Sequence, residues 1–269
     1  MKIILSRKGF DKSNGGFPSP ILPDGTLLSL PIPAKNDFLT FDELEYDGVA
    51  YADILRQLRG KEDEFNHSHC HLDPDIRKQV RKISIPDWQP AFGQINSAQG
   101  FLRNQQVGLG DLFLFFGWFR QTEGDLKTGT LRFKKDAPDL SVIYGYLQIG
   151  DLINQPEKLQ TAYPWHPHSH SFRAEKATNM LYLASESLSF NKPLSGSGVF
   201  QLSENKILTM PGATRSVWKE IDALSPDNLR GSHKNSARNG GIYYSGIWQE
   251  KVLKENALSE EWAKGLFKK

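Results

Sequence analysis

The alternation of apolar and polar residues picks out Gly108 to Arg120, GLGDLFLFFGWFR, as the organising element. Gly108, Gly110 and Asp111 form a turn signal, and a run rich in Phe and Leu follows. Strand alternation puts Leu112, Leu114, Phe116 and Trp118 on one face and Phe113, Phe115, Gly117 and Phe119 on the other. Both faces are apolar, which predicts a central strand covered on two sides. Gly117 leaves a gap among large rings, as where a backbone or ligand comes close. A second strand is predicted over Ser141 to Gly150, antiparallel to the first across the polar stretch Gln121 to Asp139. Lys2 to Leu5 reads as an opening strand. Asn179 to Ser185, Gly198 to Leu202 and Lys206 to Thr209 read as further short ones.

Helical signals are fewer. Thr40 to Glu43 has the pattern of a capping box. Ala50 to Arg59 carries Ile54, Leu55 and Leu58 on one side and Gly60 as a stop. A polar loop follows over residues 61–66. Asp73-Pro74-Asp75 predicts a turn leading into a helix over Ile76 to Lys82. Ser97 is expected to cap a helix reaching Gln105, and Ser259 one that ends with Lys264, Lys268 and Lys269. The pattern predicts an α+β chain: one domain with a central curved mixed or antiparallel sheet flanked by helices. An N-terminal loop-and-helix part spans 1–107, a sheet core 108–210, and a basic loop with a helix 211–269.

Composition changes this picture in three respects. No apolar run approaches the ~20 residues of a membrane span, so a cytoplasmic protein with no membrane partner is expected. The single cysteine, Cys70, excludes an intramolecular disulfide. The net charge of +2 among 269 residues is too small to imply a nucleic-acid partner, so any anion site must come from local clustering.

Such clusters exist. After the opening strand, SRKGFDKSNGG sets Arg7, Lys8 and Lys12 around Asp11, with Gly9, Gly15 and Gly16 free to adopt positive φ. The loop could offer N–H groups and cations to a phosphate, although it lacks the Walker spacing; a solvated surface loop is the alternative. HSHCHLDPD, residues 67–75, gathers three histidines, a cysteine and two aspartates, and WHPHSH, residues 165–170, adds three more histidines. His67, His69, His166 and His168 are candidate ligands of a divalent metal, though the spacing fits no standard zinc motif. Asp11, His71, Asp73 and Asp75 are candidate acid–base groups. Gln94, Arg120, Lys234 and Arg238 extend the candidate nucleotide-binding set of Arg7, Lys8 and Gly9, with Tyr243 and Tyr244 beside the last of them. No nucleophile stands out: Ser6 has no base at a fixed spacing, and Cys70 has no Cys-His-Asn signature.

SRKGFD, NGGFPSPILPDG, HLDPD, FGQ at 92–94 and GDLFLFFGWFR together resemble a bacterial nucleotide-modification-associated domain family, the third of the so-named set. The similarity covers nearly the whole chain and implies a DNA-modification or phage-conflict context, with no settled activity. Gly110-Asp111 and VIYGYLQIGDLI are also similar to PUA-like barrels of the ASCH and EVE kind, which implies a barrel whose cleft takes a base or nucleotide. Residues and resemblance together lead to the expectation of a protein that binds a nucleotide, or a base within nucleic acid. Its rivals are a metal-dependent nucleotide-processing enzyme (a hydrolase or transferase), a non-catalytic reader of modified bases, and a structural protein. An enzyme requires Asp11, His71 and Asp73 to converge with Arg7. A reader requires an aromatic cage.

Overall fold

The computed structural model describes residues 1–60, 65, 67–238 and 240–268. Most of the expected polar loop 61–66, and the terminal Lys269, therefore lie outside the described residues. Among those described, nine strands form one mixed sheet. They are β1 (Ile3–Arg7), β2 (Ser19–Ile21), β3 (Ala91–Gln94), β4 (Leu112–Glu123), β5 (Arg132–Phe133), β6 (Leu140–Ile153), β7 (Met180–Ala184), β8 (Ser197–Val199) and β9 (Glu250–Val252). The order is β9-β1-β4-β6-β7-β3, with β8 on β6 and with β2 and β5 on β4. β1 runs parallel to β4, pairing Ile3 with Leu112 through Arg7 with Phe116. β6 is antiparallel to β4, with a register shift between Ile143 and Gly145.

The alternation in β4 is realised on both faces. Phe113 and Phe115 meet the ring of Phe92 at 4.8 and 5.1 Å, edge to face, while Phe116 meets Trp218 and Tyr244 at 5.2 and 5.4 Å. A strand apolar on both sides must be covered on both, and this one is. The gap at Gly117 is filled by backbone: a Cβ there would stand 2.7 Å from the Lys8 carbonyl oxygen. Asp111 anchors the entry turn, since its Oδ1 accepts from the Lys2 N–H at 2.7 Å and its Oδ2 from the Gly108 N–H at 3.0 Å.

The strand order has two ends, so the sheet is open; a PUA-like barrel is not shown. The sheet curls nonetheless, because Gln94 Nε2 of β3 donates to Glu250 Oε1 of β9 at 2.5 Å, joining the two ends through side chains. Strands from all three stretches of the chain (1–107, 108–210 and 211–269) share this sheet.

A second, smaller core is built from the N-terminal loops and helix α1 (Tyr51–Arg59), with Phe10, Phe17, Phe41, Ile54 and Leu55 buried together. Gly60 ends α1 in the left-handed region, as its position predicts. Glu43 reaches back to the Thr40 N–H at 2.8 Å, but the turn it caps is three residues of 3-10 helix.

Helix α2 (Asn96–Asn104) starts slightly before the predicted Ser97 cap, and the final helix α3 (Ala257–Gly265) is capped by Asn256, whose side chain accepts from the Ser259 N–H at 2.9 Å. The expected helix over 76–82 does not form. Asp75 instead exchanges both backbone hydrogen bonds with Ala91, and Arg77 is spent on the Leu27 carbonyl at 2.8 Å. Residues 206–209 form isolated bridges and part of a 3-10 turn in place of the expected strand. No helix among the described residues is long and apolar enough to cross a membrane.

Lys251 is 1% exposed, over the Tyr244 ring and within 3.3 Å of the Lys234 carbonyl, and burial pulls its ammonium down to about 8. Below that pH the fold must bury a charge that the unfolded chain leaves in water, so this group's contribution to stability rises with pH between about 8 and 10. Lys251→Met is expected to stabilise the protein at pH 7 by up to about 3 kcal/mol. In paired denaturant titrations the gap to wild type should close toward pH 10; a gap that does not change with pH would contradict this account of Lys251.

Candidate metal and nucleotide site

Cys70 and His71 form a short strand against Ile32 and Pro33, and the chain then turns tightly at Leu72, the Asp73 N–H donating to the His71 carbonyl at 3.0 Å. Cys70 and Leu72 are buried in the N-terminal core, while His71 and Asp73 line a cavity of about 260 Å³ on the other side. His67 and His69 do not follow. His67 has a φ of 54°, which breaks the alternation, and its exposed ring lies 3.4 Å from Asp42. His69 lies in an isolated bridge with Thr40, away from the cavity.

The opposite wall comes from the sheet end and the 165–170 loop. Gly93 of β3 carries no Cβ, and one added there would stand 2.2 Å from His168 Cδ2. The glycine lets the His168 ring lie against β3, and its own N–H donates to Asp73 Oδ1 at 2.7 Å. The turn Pro167–Ser169 sets His166 and His168 either side of Pro167.

Hydrogen bonds fix which nitrogen of each ring carries the proton. His168 Nδ1 lies 2.6 Å from Asn179 Oδ1, and Asn179 Nδ2 donates to the His168 carbonyl, which fixes the amide orientation. His168 Nδ1 is therefore the donor, and Nε2 presents a lone pair 3.9 Å from Asp73 Oδ2. His71 Nδ1 donates to Asp37 Oδ2 at 2.7 Å, and its Nε2 lies 3.8 Å from the same Asp73 Oδ2. His166 is the reverse. Its Nδ1 accepts from the His168 N–H at 3.2 Å, so Nε2 carries a proton toward Asp73 Oδ1 at 3.5 Å.

Burial alone would raise the Asp73 pKa, but the His166 contact and the nearby imidazoles outweigh it and hold the carboxyl well below its usual range. Burial pushes His168 down to about 3 against the pull of Asp73, so at neutral pH it is an uncharged imidazole. Three atoms of metal-ligand type, His71 Nε2, His168 Nε2 and Asp73 Oδ2, lie within 4.8 Å of one another.

Behind them Asp37, 1% exposed, gathers His71, His170 and Arg173; burial opposes its ionisation, but these partners hold it ionised. The sequence carries no local sign of Asp37, Arg173 or Asn179, whose roles exist only through distant neighbours.

The cavity also brings in Arg7, Lys8, Gly9, Asp11 and Gln94. Several of these are already engaged. Lys8 Nζ lies 3.3 Å from buried Glu250 and over the Phe92 ring, and Gln94 donates to the same carboxylate. Asp11 Oδ1 accepts from the N–H groups of Ser13 and Asn14 and from Asn14 Nδ2, which shapes the loop, and its Oδ2 is 3.6 Å from Arg7. Gly9 has a φ of 81° with Ser29 Oγ close by, a conformation that suits glycine.

Asp75, Arg120, Lys234 and Arg238 do not line it. Asp75 is buried against Arg81 and Trp88; Arg120 pairs with Asp139; Lys234 is exposed; Arg238 is exposed over Tyr243. Cys70 and Ser6 are buried, and burial pushes the thiol pKa up, so neither is an available nucleophile. None of the described residues lining the cavity is Phe, Tyr or Trp.

A sequence profile for nucleotide modification associated domain 3 matches residues 2–260, nearly the whole chain, so it takes in both histidine clusters and every strand of the sheet. The chain belongs to the nucleotide modification associated domain 3 family. Membership in this family gives the chain a nucleic-acid-modification context. No curated protein and no solved structure matches the chain.

Gly93→Ala is expected to drive the His168 ring off β3, since the clash is with a ring that Asn179 holds in place and cannot be relieved by a flexible chain end. A loss of about 2 kcal/mol in denaturant titration, with a shifted His168 imidazole resonance, is expected. Unchanged stability together with an unmoved resonance would remove the role given to Gly93.

Proposed function

We propose that the chain is a metal-dependent enzyme acting on a phosphate-bearing nucleotide, by hydrolysis or group transfer. One observation carries the reading. Two imidazole nitrogens and a carboxylate oxygen converge within 4.8 Å of one another, and a cation at their centre would be ligated by all three. His71 Nε2, His168 Nε2 and Asp73 Oδ2 would be the ligands. Two imidazoles with one carboxylate favour a first-row transition ion over magnesium or calcium. Asp37 and Asn179 would act as the outer partners that orient the rings, and His166 would steady Asp73 by donating to its other oxygen.

Three protein ligands leave positions for water and substrate, the arrangement that lets a metal activate water near neutral pH. Arg7 would bind phosphate at the cavity wall. Lys8 and Gln94 would hold the wall through Glu250, and Asp11 would set the loop that carries Arg7. The absence of aromatic side chains from the described lining, with two aspartates present, favours an enzyme over a reader of modified bases. The family's association with nucleotide modification agrees with the substrate class.

Metal-free protein titrated with zinc or manganese should bind one ion per chain. Asp73→Asn and His168→Ala should abolish binding. Asn179→Ala should weaken it about ten-fold or more, and His67→Ala should leave it unchanged. Turnover of nucleoside phosphates or oligonucleotides, followed by mass spectrometry, should require both the metal and Asp73. Absence of metal binding by the wild type, or binding that survives Asp73→Asn, would overturn the reading.

A further inference from the structure

Arg7 does not belong to one cavity alone. With Asp11 it also lines a second, polar cavity of about 360 Å³, which the metal reading leaves unused. Its other charged walls are Lys12 and Arg215, with the serines Ser216 and Ser245 between them. Three cations therefore face one carboxylate, and that carboxylate already accepts three hydrogen bonds from its own loop.

Arg215 is the informative residue. It is half-buried, its guanidinium lies 4.2 Å over the ring of Trp118, and no carboxylate lies within ion-pair distance of it among the described residues. The neighbouring Asp139 is committed to Arg120 at 2.7 Å. Burial and the nearby Arg7 charge oppose protonation of Arg215 and outweigh the pull of Asp139 and Asp11. Two arginines that line one cavity, one of them with its guanidinium over an indole and no carboxylate in ion-pair distance among the described residues, are good partners for an anion and poor partners for each other.

We infer that this second cavity is a phosphate subsite, in which Arg215, Arg7 and Lys12 hold a phosphoryl group of the substrate beyond the one at the metal. The substrate is then a nucleotide with at least two phosphate groups, spanning Arg7 from one cavity to the other. The nucleotide identity rests on the proposed function, whereas the anion chemistry of the pocket does not. Arg7 serves both subsites, and Arg215 only the outer one.

The test uses inorganic pyrophosphate as the probe, titrated calorimetrically into full-length, metal-free protein. Wild type should bind it, with affinity falling as salt is raised. Arg215→Gln should weaken binding about ten- to hundred-fold, and Arg215→Lys, which keeps the charge, should lose less. Circular dichroism and melting would establish that both variants are folded. Arg238→Gln, which removes a cation outside both cavities, should leave pyrophosphate affinity unchanged; because the titration is metal-free, failure of the metal reading would be seen separately. A nucleoside diphosphate and a 5′-phosphorylated dinucleotide would then be compared; the one whose affinity depends on Arg215 names the source of the second phosphate. Absence of pyrophosphate binding, equal binding by folded Arg215→Gln, or no dependence on Arg215 for either nucleotide would overturn the inference.

Discussion

Three atoms of metal-ligand type held close together in a buried space form the constraint on which the rest of this structure depends. Left alone, two imidazoles and a carboxylate would be free to turn apart. Here the outer partners hold each of them in place. Asn179 and Asp37 occupy the far nitrogens of His168 and His71, while the Gly93 N–H and the His166 ring hold the other oxygen of Asp73. Burial keeps His168 uncharged, so a proton is an unfavourable way to relieve the contact. A cation is the favourable one. The outer hydrogen bonds are thus the means by which the arrangement is maintained.

The fold supplies this geometry from three separate places. The two-residue strand at 70–71 and the tight turn after it send Cys70 and Leu72 into the N-terminal core and His71 and Asp73 out of it. The curled sheet brings β3 round to β9, where Glu250 ties Gln94 and Lys8 together and closes the wall beneath Arg7. The aromatic strand β4 is the rigid reference for both, and its one gap, Gly117, admits the Lys8 carbonyl as the backbone passes. A glycine against a ring at 93 and one against a backbone at 117 therefore do related work: each lets a functional segment lie closer to the sheet than a side chain would permit.

Much of the sheet was legible in the sequence because β4 and β6 announce themselves by alternation and by β-forming residues, and the two are adjacent and antiparallel. The open order of the sheet was not legible, since pairing of β1, β3 and β9 depends on contacts between residues far apart in the chain. The helix expected at 76–82 failed because Asp75 found a backbone partner in Ala91, which no local pattern reveals. At the site, the residue types at 67–75 and 165–170 pointed to metal chemistry, but the grouping of the histidines did not distinguish them. His67 is turned away by a left-handed backbone, and His166 points a proton, not a lone pair, at Asp73. Asp37, Asn179 and Arg215 had no local signature, because each acts only through a neighbour that folding brings to it.

The most direct test of the account is anomalous diffraction from crystals of the wild-type protein soaked in zinc or manganese, recorded at the metal edge. A single strong peak is expected about 2.0–2.2 Å from His71 Nε2, His168 Nε2 and Asp73 Oδ2. His166 Nε2 should lie outside bonding distance of it. A peak at His67 or His69, a peak bonded to His166, or no peak between the three expected atoms would contradict the account.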